Sequence, residues 1–491
     1  MKLGIKRKRR IVLLTLMLVM VLLAKSQPNM AFYPIDNQFN SSDYNPAFLT
    51  SGEKFTFSIF PMNGVSVGYN NQAVINNLVS KFLKGITSDN DYKEVISNLA
   101  GQSSFHQNIE ISLLSFTYRS NAGFFNFRIK ECESFSTSLE GELTKFIFNP
   151  AIESAIVNQI QEFPAQVIHY REYSLGYSYN SPMDRFSAGI RTKLYLGKAA
   201  FLSGISGSIQ NESDKYFLRT WGKVNMSFPE GKVLNPDGAS NYPGLGQSKI
   251  TDYLLNTGNP GFGVDLGIKY RITSDLTFSL SAIDLGKINW KTNLNSKNFA
   301  GEYQFPASTI NSTNGGEDQI INKTSGNFSF SDSISNLFHL TYDRSAFSNP
   351  LPLSIYAGLK YRINPTFSIS VTDRYMKLKK LGYNSLSASA NFDVDKKFSI
   401  SAGYSIIGNS YANIPLAILF RRNFGQIYIG TENLVSILVP SSAEYAGISF
   451  GACFYLFTKR DFFKLASDDF PFYKPRRIKK DPQNGKIIAA N

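Results

Sequence analysis

From about residue 100 onward the chain alternates. In Phe262, Val264, Leu266, Ile268, Tyr270 and Ile272 every second residue is apolar, while Gly263, Asp265, Gly267, Lys269 and Arg271 fill the positions between them. The pattern returns over 353–363, 386–394, 398–406 and 446–456, with earlier copies around 107–118, 123–137, 168–179, 186–197 and 216–228. A period of two is the signature of a β-strand with two unlike faces. These runs are roughly 9 to 12 residues long, against about five or six for strands of soluble sheets and about 9 to 11 for a tilted strand that crosses a bilayer. The non-apolar face is Gly, Ser and charge, which would make a poor sandwich core and a suitable barrel interior. Tyr173, Tyr177, Tyr179, Tyr270, Tyr361 and Tyr404 lie towards run ends, where an interfacial aromatic girdle would put them.

The expected fold is therefore all-β, a closed antiparallel transmembrane β-barrel with its apolar face outward. Closure follows from the solvent: hydrocarbon offers no hydrogen bonds, so every strand edge must pair. On that fold, a charge at Leu266 or Ile400 is expected to cost about 2 to 4 kcal/mol near the bilayer midplane and one at Ser399 or Ser401 far less.

Other segments break the period. Residues 72–100 carry Val74, Ile75, Leu78, Val79, Phe82 and Leu83 at three-and-four spacing, predicting an amphipathic helical plug or cap, and 150–162 predicts a weaker one. Residues 180–184, 364–365 and 395–397 are short turns. Two longer polar stretches, 231–260 and 291–335, are the candidate extracellular loops.

Charge first suggests a different protein. There are 51 Lys and Arg against 37 Asp and Glu, a formal +14, which invites a nucleic-acid reading. The distribution removes it. Residues 1–26 hold +7, residues 459–491 hold +5, and the 432 residues between hold only +2. The first stretch is a basic run ending at Arg10, an apolar run over 11–24, and Ala24-Lys25-Ser26, which fits a secretory leader cleaved after Ser26. The chain thus divides into a signal peptide (1–26), the barrel with its N-terminal segment (27–458) and a basic periplasmic tail (459–491). Two Cys and three His leave little for metal or general-base chemistry. His106, His169 and His339 lack ligand spacing, so no enzyme activity, metal or cofactor is expected. Cys132 and Cys453 share lumen-side parity and are expected as free thiols.

Asp43-Tyr44-Asn45-Pro46-Ala47-Phe48-Leu49 resembles the Asn-Pro-Ala element near the start of Bacteroidota outer-membrane proteins, and the stretches 169–177, 189–198 and 259–267 strengthen the likeness. Together they resemble an uncharacterised domain-of-unknown-function family of barrels, distantly similar to the PorV, PorP/SprF and FadL-type proteins. The resemblance covers roughly 27–458 and implies about 14 strands, whereas the runs themselves number 16 or 17, some of which would be hairpin extensions beyond the membrane. It implies an outer-membrane location, a channel or transporter for an unidentified solute, and, as the alternative, a scaffold of type IX secretion or gliding machinery with an envelope protein as partner. Lumen-lining candidates are Arg191, Lys193, Asp265, Lys269, Arg271, Lys360 and Arg362. Asn45, Pro46, Ala47 and Phe48 form the family-like motif. The partners expected are outer-membrane lipid and an envelope or secretion-machinery protein, with no nucleic acid.

Overall fold

The computed structural model of the chain describes residues 30–48, 54–71, 103–139, 160–228, 253–306, 341–438 and 445–456, with gaps of one to three residues inside some of these ranges, and two short stretches at 479–480 and 487–488. The expected helix over 72–100, the leader and nearly all of the tail lie outside the described residues.

The alternating runs become strands: β1 (Phe55–Ile59), β2 (Val65–Asn71), β3 (Ser103–Arg119), β4 (Phe124–Leu139), β5 (Ile160–Asn180), β6 (Phe186–Glu212), β7 (Lys215–Ser227), β8 (Pro260–Arg271), β9 (Leu276–Trp290), β10 (Ser296–Pro306), β11 (Thr341–Asp343), β12 (Phe347–Pro350), β13 (Leu353–Arg362), β14 (Phe367–Leu378), β15 (Leu381–Val394), β16 (Phe398–Ile407), β17 (Ser410–Asn413), β18 (Leu416–Arg422), β19 (Gly425–Thr431) and β20 (Tyr445–Leu456). Fourteen positions close into one antiparallel barrel with six extra strands. The ring runs β1, β3, β4, β5, β6, β8, β9, β13, β14, β15, β16, β18, β19 and β20, and β20 pairs back onto β1. Three of the extra strands continue a ring strand past a break: β2 continues β1, β12 continues β13 and β17 continues β18. The other three form a flap, in which β7 pairs with the second half of β6, β10 with β7, and β11 with β10.

The flap accounts for runs in excess of fourteen, β7 being the run expected over 216–228, and corrects one expectation. β5 and β6 run for 21 and 27 residues, well beyond what a bilayer requires. Residues 296–306, expected within a loop, form β10. Phe299, Tyr303 and Phe305 alternate there with Ala300, Glu302 and Gln304, a short period-two run inside an otherwise polar stretch. The weaker helix expected over 150–162 is also corrected at its end, since β5 already begins at Ile160.

The polarity of the wall is inverted relative to a soluble protein. Ile190, Phe262, Leu266, Leu359, Val371 and Ile427 are exposed, Phe262 by 67%. Ser281, Thr372, Ser387, Ser401 and Ser405 are buried on the other face. Connections at one end of the barrel are short, as at 272–275 and 363–366, and Phe55 and Leu456 pair at that end. Phe125, Tyr179, Phe186, Tyr270, Tyr361, Phe392 and Phe424 ring the same end on the outside, as an interfacial girdle would.

The apolar core lies inside the barrel and is built on the segment preceding β1. Residues 30–48 fold into three short 3-10 turns, Met30–Phe32, Ser41–Asp43 and Pro46–Phe48. Phe32, Tyr33, Ile35, Phe39, Tyr44 and Phe48 pack with Tyr356, Leu419 and Tyr428 of the wall. Tyr33 stacks on Tyr356 with ring centroids 5.3 Å apart, and Phe32 meets Tyr428 edge-on at 5.1 Å. The described plug is thus the N-terminal segment, a role that its few residues do not advertise.

Candidate functional site

Two contacts fix the N-terminal segment. The first is a seat for the Asn-Pro-Ala turn. Gly189 of β6 and Gly267 of β8 are register partners on the lumen face. A Cβ on Gly267 would lie 2.0 Å from Asn45 Oδ1, and one on Gly189 would lie 2.3 Å from the Pro46 carbonyl carbon. The absence of two side chains makes a notch in the wall, and the turn fills it. Asn45 Nδ2 donates to the carbonyls of Ile268 and Leu280 at 3.1 and 3.2 Å, while its Oδ1 accepts from the Ala47 amide at 2.9 Å. Proline at 46 has no N–H to satisfy, which suits a turn buried against a sheet face.

The second contact is ionic. Strand parity puts Arg128 and Lys130 of β4 and Arg191 of β6 on the lumen face, and all three reach Asp43. Arg128 Nη1 and Arg191 Nη1 both meet Asp43 Oδ1, the latter at 3.0 Å, and Lys130 Nζ lies 3.1 Å from Oδ2. The guanidinium groups also bind backbone of the segment: Arg128 Nη2 donates to the Phe39 carbonyl at 2.9 Å and Arg191 Nη2 to the Ser42 carbonyl at 2.8 Å. Burial alone would raise the Asp43 carboxyl, but Arg128, Lys130 and Arg191 overrule it and hold the group well below the usual carboxylate range.

Beside this cradle the wall carries its own charges. Lys193 Nζ lies 3.0 Å from Asp265 Oδ2, 2.6 Å from Asp284 Oδ1 and 3.3 Å from Glu172 Oε2. Lys130 also pairs with Glu110 at 3.2 Å, and Arg191 approaches Asp265 at 3.6 Å. Asp284 enters the lumen only because β9 bulges: its φ is +65° and its amide donates to Asp265 Oδ1 at 2.7 Å. Between plug and wall remains a small open void lined by Asp43, Glu110, Lys130, Glu172, Arg191 and Lys193 among others.

At the start of the segment the Met30 amide donates to Oε1 of Glu432, just past β19 and fully buried. Burial pushes the Glu432 carboxyl up to about 8, only partly offset by the Met30 amide and Arg374.

Of the lumen-lining candidates, Arg191, Lys193 and Asp265 are brought together here. Lys360 donates to the Pro34 carbonyl at 2.8 Å, and Lys269 lines a smaller void beside Tyr33 and Phe48. Arg362 instead lies exposed at the short-turn rim, bound to the Ser274 carbonyl and to Asp275 at 3.3 Å, and Arg271 ends its strand at the same rim. Arg128 and Lys130 were legible, since they share the parity of Cys132. Asp284 had no signal, because its bulge reverses the parity. Cys132 and Cys453 are both buried and are not joined in a disulfide. His169 pairs with Glu131 at 3.3 Å, and among the described residues no group of three metal-binding side chains converges.

A family model described as a family of unknown function, DUF5723, matches residues 46–432. The chain belongs to that family. The match to DUF5723 begins at Pro46 in the glycine seat and ends at Glu432. No curated protein matches the chain. Among solved structures, the toluene transporter TodX of Pseudomonas putida is 9% identical with a TM-score of 0.36, covering 84% of this chain and 92% of that one. The toluene transporter TbuX of Ralstonia pickettii is 9% identical with a TM-score of 0.34, covering 84% and 90%. The KdgM porin is 7% identical with a TM-score of 0.17, covering 61% and 99%. Likenesses of this size carry no argument about what this chain does.

Proposed function

We propose that this protein is an outer-membrane β-barrel channel for a small solute, closed in the described state by residues 30–48. The supporting observation is a closed ring with an exposed apolar belt and a charged lumen whose occupant is held by polar latches. Phe32, Tyr33, Ile35, Phe39, Tyr44 and Phe48 pack on the wall, so their apolar contacts favour the seated state. The ion pairs and hydrogen bonds at Asp43 and Asn45 can be exchanged for water or for a solute's own polar groups, so they are the part of the seat through which withdrawal can be controlled. Short turns, with the start of β1 at Phe55 and the end of β20 at Leu456 on the same rim, fit a periplasmic orientation of that rim.

Two measurements test the reading. Detergent-extracted protein should fractionate with the outer membrane and show heat-modifiable mobility. In planar bilayers the intact chain should be mostly closed, and a variant with an obstructed glycine seat should open. Folded protein that stays closed in both forms, or a soluble periplasmic pool, overturns the proposal.

A further inference from the structure

We propose that Arg128, Lys130 and Arg191 form a carboxylate-binding site that Asp43 occupies from within the chain, and that a small organic acid takes over this site when residues 30–48 withdraw. This rests on the channel reading and gives that channel a solute class.

The cradle is built, not incidental. Arg128 and Arg191 are each 1% exposed, and Lys130 is nearly as buried. The three groups come from two strands that flank β5 and converge on one carboxylate with both of its oxygens engaged. On the wall, Lys193 meets three acids, Lys130 meets Glu110 and Arg191 approaches Asp265. Among the described residues, Arg128 has Asp43 as its sole ionic partner. Withdrawal of the plug therefore takes away the ionic partner of Arg128 and opens its guanidinium, with Lys130 and Arg191 beside it, to solvent and solutes. Such a group strongly favours recovering a carboxylate, and arginine forks match carboxylate geometry. A small void adjoins the cradle, and withdrawal of residues 30–48 would enlarge it. It is lined by Tyr44, Tyr170 and Tyr428, and by Glu172, whose Oε1 is buried and lacks a hydrogen-bond partner. Glu172 thus offers an acceptor to a hydroxyl or ammonium group on the same solute.

The test uses the full chain in detergent micelles and reads hydrogen exchange of the 38–48 amides, so it does not depend on conductance. Sodium lactate should raise that exchange several-fold over sodium chloride at equal ionic strength. Arg128→Met and, separately, Arg191→Gln should abolish the lactate response while heat-modifiable mobility shows that the barrel is intact. Asp43→Asn, which frees the cradle, should gain thermal stability from lactate where the wild type gains less. The proposal is overturned if chloride acts as strongly as lactate, if inorganic phosphate acts and lactate does not, or if both cradle variants still respond. A lactate response without conductance in any variant would instead count against the channel alone.

Discussion

Asp43 Oδ1 accepts a hydrogen bond from Arg191 Nη1 at 3.0 Å, joining residues 148 positions apart and tying the N-terminal segment to the barrel wall. Asp43 also meets Arg128 and Lys130, and Arg191 also approaches Asp265; Asp43→Asn takes the shared carboxylate from all three cations and should weaken seating by about 3 to 5 kcal/mol, and Arg191→Gln, which leaves Asp43 two cations, by less. In a double-mutant cycle, Asp43→Asn and Arg191→Gln should couple by about 1 to 3 kcal/mol. The free energy is read from native-state exchange of residues 38–48. Strictly additive effects would mean that the two groups do not act as a pair.

Seating should also depend on pH, with opposite signs at its two ends. The Asp43 carboxyl is held low by its three cations, so its contribution is present above the ordinary carboxylate pKa and is lost only as pH falls towards the depressed value. Glu432 behaves in reverse. Its carboxyl sits at about 8 against 4.5 when hydrated, so the seated state binds more protons than the withdrawn one between those values, and seating weakens as pH rises across that window. Exchange at Met30–Phe32, corrected for intrinsic rates, should speed up from pH 4.5 to about 8. Glu432→Gln should flatten that rise, and an unchanged slope in this variant would exclude Glu432 as its source.

The glycine seat predicts a separable defect. In Gly267→Val, the new side chain meets Asn45 and Pro46 where a Cβ alone would be 2.0 Å from Asn45 Oδ1, and Gly189→Ala presses on the Pro46 backbone. Overpacking of this kind costs about 1 to 3 kcal/mol. Withdrawal of the turn relieves it without disturbing strand pairing. Both variants should insert and migrate as folded barrels, yet conduct and exchange quickly at residues 38–48. Closed channels in both would show that the turn tolerates the intrusion.

Most of the wall was readable because a strand's period is two: Arg191, Lys193 and Asp265 fall inward by counting, and Leu266 falls outward. Three things escaped that count. Part of the flap did: β7 is the run read over 216–228, whereas β10, in which Phe299, Tyr303 and Phe305 alternate with Ala300, Glu302 and Gln304, lies inside a stretch read as polar loop. Asp284 did, because one bulge in β9 shifts parity by a residue. The plug did, since Met30–Phe48 has no regular period and its role depends on absent side chains at Gly189 and Gly267. Those glycines looked like small lumen-side residues, and their purpose is visible only with Pro46 in place.

The plug also changes what a charge on the lumen face should do. Leu266 is 46% exposed on the outer surface, so Leu266→Arg should cost about 2 to 4 kcal/mol near the midplane and reduce the heat-modifiable, inserted fraction. Polar lumen positions would be cheap in an open, wet barrel. Ser401, however, is fully buried with an unpartnered hydroxyl, on a strand that packs against Met30–Phe32. Ser401→Lys therefore has to desolvate an ammonium group or expel the segment, and expulsion is the easier course because it hydrates the charge and leaves every strand pair intact. The expected outcome is normal insertion with rapid exchange at residues 30–35. Combining it with Gly267→Val should add little further loss of seating, since both changes act by removing the same segment. A Ser401→Lys variant that inserts normally and keeps residues 30–35 protected would mean the lumen at this level already holds enough water to solvate a cation.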